Sequence, residues 1–87
     1  MLAALAGLRA DGAEVVVCEG GPSLNAALVE ADAVDEWCLT LAPAVVGGDS
    51  RRAVHGAPEL GDAGQALELA SLLEEDGVLL GRWLRRR

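Results

Sequence analysis

The feature that most constrains the fold of this chain is a β-branched run that stops at two glycines and a proline. Residues 15–18 read Val-Val-Val-Cys, and Glu19-Gly20-Gly21-Pro22-Ser23 follows at once. A continuous apolar run is typical of a strand covered on both faces, as in a parallel sheet. From Pro22 to about Asp32 the apolar period becomes that of a helix, with its stripe at Leu24, Ala27, Leu28 and Ala31.

A second strand is predicted after this helix. Residues 34–42 alternate, which puts Trp37, Leu39 and Leu41 on one face, and Pro43 closes the segment. A strand, a helix and a strand joined by short connections form a right-handed βαβ unit, which implies parallel pairing.

The ends of the chain add a helix and a hairpin. The leucine spacing predicts a helix over 2–10, and residues 47–64 are rich in glycine and predict a long loop. Residues 65–73 and 78–84 flank Glu74-Glu75-Asp76-Gly77, a strong hairpin signal. We therefore predict an α/β fold, with a βαβ unit of parallel strands and a terminal antiparallel β-hairpin, in one domain over residues 1–87.

Composition narrows the class of protein. The 87 residues allow one small domain or part of one, and fourteen acidic residues against seven arginines give a net charge of −7. This balance argues against nucleic-acid and anionic-membrane partners, which need a basic surface. Short apolar runs and the absence of a leader pattern predict a cytoplasmic protein without a membrane span. Two cysteines are too few for a disulfide scaffold or a zinc site, so no metal is expected.

The Glu19–Ser23 loop is the main candidate for chemistry. Two glycines allow a tight turn and the close approach of a ligand, and the helix start behind them offers unpaired N–H groups to an anion. Ligands of open α/β sheets bind beyond the carboxyl ends of the strands, where this loop is predicted to lie. The residues alone leave open whether this is a phosphate site or an ordinary turn before a proline-started helix.

The longer string VVVCEGGPSLNAALVEADAVDEWCLTLAPAVVGG resembles the C-terminal reductase domain of bacterial riboflavin-biosynthesis deaminase-reductases, a dihydrofolate-reductase-like family. The closing EEDGVLLGRWLRR also resembles the end of that domain. The resemblance implies the C-terminal half of a dihydrofolate-reductase-like fold. The N-terminal half, which reads the 2′-phosphate of the cofactor, has no counterpart in this chain, so NADPH and NADH are not distinguished.

The resemblance also implies roles for residues. Family members are NADPH-dependent oxidoreductases that reduce the ribosyl group of 5-amino-6-(5-phosphoribosylamino)uracil to a ribityl chain by hydride transfer. Glu19 would contact this pyrimidine ribosyl phosphate, and no catalytic residue is assigned. The cofactor contacts would fall on Gly20, Gly21, Pro22, Ser23, Leu24, Asn25, Ala26 and Ala27.

Two other functions remain open at this stage. The first alternative is a non-catalytic remnant or assembly module that forms a homo-oligomer through an exposed sheet. Such association is expected because a sheet without its first strands exposes an apolar edge. The second alternative is a general phosphate-binding α/β protein that is unrelated to riboflavin biosynthesis.

Several residues outside the loop have both a structural and a functional interpretation. Arg51-Arg52 are either solvated or phosphate-binding, and Asp35-Glu36 are either solvated or an acid–base pair. Cys18 and Cys38 are predicted to be buried, and Arg85-Arg86-Arg87 to be a frayed tail.

Overall fold

The computed structural model describes residues 1–58, 60 and 64–87. They fall into two compact units, Met1–Ala33 with Arg51–Pro58, and Val34–Ser50 with Glu59–Arg87. The single domain expected over residues 1–87 stays a prediction.

The first unit contains two helices with the predicted starts. Helix α1 spans Leu2–Ala10, and helix α2 spans Pro22–Glu30 with its proline in the first turn. Proline suits this position because its missing N–H has no intrahelical partner to lose. The buried hydrophobic residues of the described chain all lie on α2: Ala26, Leu28 and Val29.

The strand predicted at residues 15–18 is not formed. These residues lie outside any helix or strand, and Val15 and Val17 are 83% and 78% exposed. A strand exists only where a neighbouring strand pairs with its N–H and C=O groups, and no strand of this unit's described residues lies beside it. The predicted parallel βαβ unit is therefore not confirmed, although the run remains a strong strand former by composition.

The second unit is a three-stranded antiparallel sheet. Its strands are β1 (Glu36–Leu41), β2 (Leu67–Glu75) and β3 (Val78–Arg85), in the order β1-β3-β2. Strands β2 and β3 form the predicted terminal hairpin, with Asp76 at φ 52° and Gly77 at φ 82°. Positive φ at both central residues matches the right-handed twist of the strands, which explains the Asp-Gly sequence. The Gly77 N–H also donates to the Glu74 carboxylate at 2.7 Å.

The sheet has one apolar face, which we call the tryptophan face. The register pairs Trp37 with Trp83 across β1 and β3, and Leu69 with Trp83 across β2 and β3. Gly81 is buried on this face because the indole of Trp83 lies over it, where a Cβ would overlap the ring. The apolar residues of the tryptophan face are Trp37, Leu39, Leu41, Leu67, Leu69, Leu72, Leu79, Gly81 and Trp83, and Glu74 and Arg85 lie on the same face, paired with Leu79 and Leu67.

Charged residues join the ends of this sheet, and Asp35 and Glu36 are solvent-exposed, as the solvated interpretation predicted. Glu36 is ion-paired with Arg82, and Asp35 accepts a hydrogen bond from Arg87 at 2.7 Å. The Arg86 N–H donates to the Ala66 carbonyl at 2.9 Å, so the prediction of a frayed arginine tail is wrong. The acids therefore have structural partners, although exposed pairs of this kind stabilise a fold by only ~0.2–1 kcal/mol.

The predicted loop 47–64 includes residue 59 and residues 61–63, which lie outside the described residues. The described part of that loop contains no helix or strand. No helix formed by the described residues is long and apolar enough to cross a membrane. Within the same residues, no group of three or more His, Cys, Asp or Glu side chains is arranged to hold a metal ion.

Candidate functional site

The Glu19–Ser23 loop presents bare backbone on its open side. Gly20 has φ 90°, a conformation that side chains rarely adopt, and the Gly20–Gly21 peptide bond is cis. Gly21 is the N-cap of α2, with φ −85° and ψ −162°. A Cβ built on either glycine meets no atom within 4 Å, so a ligand has room to approach the main chain at both residues.

Helix α2 begins with backbone N–H groups that have no acceptor within the helix. Its first hydrogen bond runs from the Asn25 N–H to the Gly21 carbonyl, at 2.9 Å. The N–H groups of Ser23 and Leu24 therefore have no carbonyl one turn earlier in the helix to receive them. Gly21 supplies no side-chain cap, and the first turn contains no acidic residue. The positive end of the helix dipole favours negative charge at this position.

A third segment lies against the start of α2. The Asn25 side chain donates from Nδ2 to the Ala53 carbonyl at 2.8 Å, and the His55 N–H donates to the Pro22 carbonyl at 3.2 Å. These two bonds bring exposed Arg51 and Arg52, which immediately precede Ala53, into the same unit as the loop. Sequence reasoning missed this association because no local pattern links residues that are 28 positions apart.

A small apolar cleft lies beside the loop, between α1 and the segment that leads into Glu19. Its volume is about 240 Å³, and Glu19, which is exposed to solvent, is among the residues that line it. The cleft is smaller than the ~300–1,000 Å³ of most ligand pockets, so it accommodates part of a small molecule only. The lining side chains include Leu5, Leu8, Val16, Leu24 and Leu28.

The residues predicted to bind cofactor or substrate differ in their exposure to solvent. Exposed positions are Glu19, Gly21, Ser23 and Leu24, whereas Gly20, Pro22, Asn25 and Ala27 are half-buried. Ala26 is 5% exposed, so its methyl group belongs to the core of the unit rather than to an open surface. The predicted contacts thus share one loop and one helix start, and their contact with a cofactor or substrate stays a prediction.

The two cysteines differ from the prediction. Cys18 and Cys38 are both free and exposed, so their predicted burial is wrong. The Cys18 thiol donates to Asn25 Oδ1 at 3.6 Å, and the Cys38 thiol donates to Glu36 Oε1 at 3.7 Å. Cys18 therefore takes part in the hydrogen bonding around the loop.

One family model matches most of the chain. The family model of the RibD C-terminal domain matches residues 1–79. No match is found among curated proteins. Among solved structures, the chain is similar to Acinetobacter baumannii RibD, form 2, with a TM-score of 0.65 and 20% identity, over 78% of this chain. The match spans 19% of the length of that protein, and at this identity it shows the fold.

Proposed function

Since the chain belongs to the RibD C-terminal domain family, we propose that it carries the cofactor diphosphate site of an NADPH-dependent reductase of riboflavin biosynthesis. Its membership confirms the resemblance read from the sequence to the C-terminal reductase domain of riboflavin-biosynthesis deaminase-reductases. The proposed reaction reduces the ribosyl group of 5-amino-6-(5-phosphoribosylamino)uracil to ribityl, and NADPH supplies the hydride when it is bound.

The observation that carries this proposal is that two glycines with open space at their Cβ positions directly precede a helix start whose first N–H groups have no acceptor within the helix. Ser23 and Leu24 offer N–H groups at the positive end of α2, and a Cβ on the preceding Gly20 or Gly21 would meet no atom within 4 Å. A diphosphate fits this arrangement because it accepts hydrogen bonds from backbone N–H groups without needing a lysine. This explains how a chain with a net charge of −7 can take a polyanionic cofactor.

Glu19 is proposed as the substrate contact. Glu19 is exposed, directly precedes Gly20 and is one of the residues that line the apolar cleft. A carboxylate is an acceptor for the N–H groups of a pyrimidine, so Glu19 would orient the substrate rather than transfer a proton. The proposal assigns binding and orientation to this chain, and it names no catalytic residue.

The test is a fluorescence titration of the purified chain with NADPH. We expect saturable binding with a dissociation constant below about 1 mM, equivalent to roughly −4 kcal/mol. Binding should weaken as NaCl is raised, because salt screens the attraction between phosphate and the helix terminus. The absence of binding at millimolar NADPH would overturn the proposal. Equal affinity for unrelated sugar phosphates would instead favour a general phosphate-binding protein.

The tryptophan face favours a second candidate function, self-association as an assembly module. Leu41, Leu69 and Leu72 on this face are 66%, 52% and 53% exposed. An antiparallel sheet normally presents polar residues on its solvated face, and exposed apolar patches mark interaction surfaces. A second copy of the chain could bury this face against its own counterpart.

Two adjacent leucines, Leu72 and Leu73, provide a matched test of self-association, with the oligomeric state measured by light scattering. Leu72 lies on the tryptophan face, whereas Leu73 pairs with Leu80 on the opposite face and is 64% exposed. If the tryptophan face joins two copies, Leu72→Glu yields a monomer and Leu73→Glu leaves the dimer intact. A monomeric parent chain, or equal effects of the two variants, would contradict this function.

A further inference from the structure

We propose that Asn25 is a positioning residue for the Glu19–Ser23 loop and acts through hydrogen bonds to two other segments, not by contact with the cofactor. The inference rests on the proposed function, because the loop that Asn25 would hold is the proposed diphosphate site. It assigns to Asn25 a role different from the cofactor contact that the family resemblance implies.

The side chain of Asn25 connects three stretches of the first unit. Its Nδ2 donates to the Ala53 carbonyl at 2.8 Å, and its Oδ1 accepts from the Cys18 thiol at 3.6 Å. An amide can join a donor and an acceptor at the same time, whereas an aspartate offers acceptors only and an alanine offers neither. The residue type at position 25 therefore matches this bridging geometry.

The bridge spans the two ends of the loop. Cys18 immediately precedes Glu19, and Asn25 lies in the first turns of the helix that follows the loop. Between these ends, Gly20 and Gly21 have no side chains to hold them, and glycine has the most conformational freedom to lose. Fixing both ends before a ligand arrives lowers the entropy lost on binding, which raises affinity without any new contact to the ligand.

The same side chain holds the segment that contains Ala53. A second bond, from the His55 N–H to the Pro22 carbonyl at 3.2 Å, places that segment along the helix start. Asn25 thus controls the loop from two directions, through Cys18 before it and through Ala53 beside it. Loss of the Asn25 amide is expected to loosen both.

A double-mutant cycle on NADPH affinity tests this role. We expect Asn25→Ala to raise the dissociation constant about tenfold and Cys18→Ala about threefold, since a thiol is a weak donor. The double variant should be no weaker than Asn25→Ala alone, because both changes break the same bridge. An unchanged dissociation constant in either single variant overturns the proposal, as does a double variant that shows the full product of the two effects.

A second readout separates positioning from a general loss of structure. In a Cys38→Ala background, Cys18 is the one remaining thiol, and its reaction rate with Ellman's reagent should rise when Asn25 is replaced by alanine. The thermal unfolding midpoint by circular dichroism should stay near that of the parent. An unchanged thiol rate contradicts the bridge. If Asn25→Ala does not fold, Cys18→Ala alone decides, because it removes one bond and leaves α2 intact.

The outcomes also distinguish this inference from the proposed function. A parent chain that binds no NADPH overturns the proposed function, and the positioning role falls with it. A parent that binds NADPH, with an Asn25→Ala variant of equal affinity, overturns the positioning role alone.

Discussion

Replacing Gly21 with valine should separate cofactor binding from folding. Gly21 has φ −85° and ψ −162°, an extended conformation that β-branched residues favour and that suits a residue before proline. A Cβ at this position meets no atom within 4 Å. The loss of a good N-cap residue costs about 0.5–1 kcal/mol, and the lower entropy of the unfolded chain offsets part of it. The free energy of unfolding should therefore change by less than about 1 kcal/mol.

The same substitution should have a large effect on NADPH affinity. The valine methyl groups would enter the open space at Gly21, where the diphosphate is proposed to approach the helix start. Two hydrogen bonds to a charged group, at about 1.5 kcal/mol each, make ~3 kcal/mol, or roughly a hundredfold in the dissociation constant. A titration of the variant with NADPH, followed by its fluorescence, measures this change.

Gly47→Val is the matched control for that titration. Gly47 also has open space around its Cβ position and no positive φ, and it belongs to the other unit. It should bind NADPH like the parent. If Gly21→Val retains parental affinity while remaining folded, the diphosphate does not lie at this loop. Equal losses in both variants would mean that the effect is not specific to the loop.

Two further predictions concern the sheet. Gly81→Ala should lower the free energy of unfolding by about 1–3 kcal/mol, because the added Cβ displaces the Trp83 indole. Urea unfolding followed by tryptophan fluorescence measures this change. An unchanged unfolding midpoint would contradict the position of the Trp83 ring. Gly77→Ala should cost about 1 kcal/mol, because φ is 82° there and its Cβ has only ordinary contact with Pro43. Gly47→Ala, with no positive φ, should be near neutral in the same assay.

The parts of the fold that depend on local sequence were predictable. Asp76-Gly77 between two alternating segments specifies the hairpin, because the turn itself requires positive φ at two successive residues. Pro22 fixes the start of α2 in the same way. The Glu19–Ser23 loop accordingly ends where α2 was predicted to begin, and its role as a ligand site stays a prediction.

The parts that depend on distant partners were not predictable. Residues 15–18 have strand composition, but a strand forms only beside a pairing neighbour, and composition does not supply one. Arg86 was expected to fray. Its N–H instead bonds to the Ala66 carbonyl, a partner that is far away in sequence and that no local pattern indicates. The bridge made by Asn25 was missed for the same reason, since nothing near Asn25 in the sequence indicates Ala53 as its partner.

The most direct test of the central claim is a map of backbone amide shifts on addition of NADPH to the ¹⁵N-labelled chain. The diphosphate site predicts that the largest shifts occur at the N–H groups of Gly20, Gly21, Ser23 and Leu24. Gly47 and Gly48 serve as internal references and should move little. Shifts concentrated away from the loop, or absent at millimolar NADPH, would contradict the claim that this loop binds the cofactor.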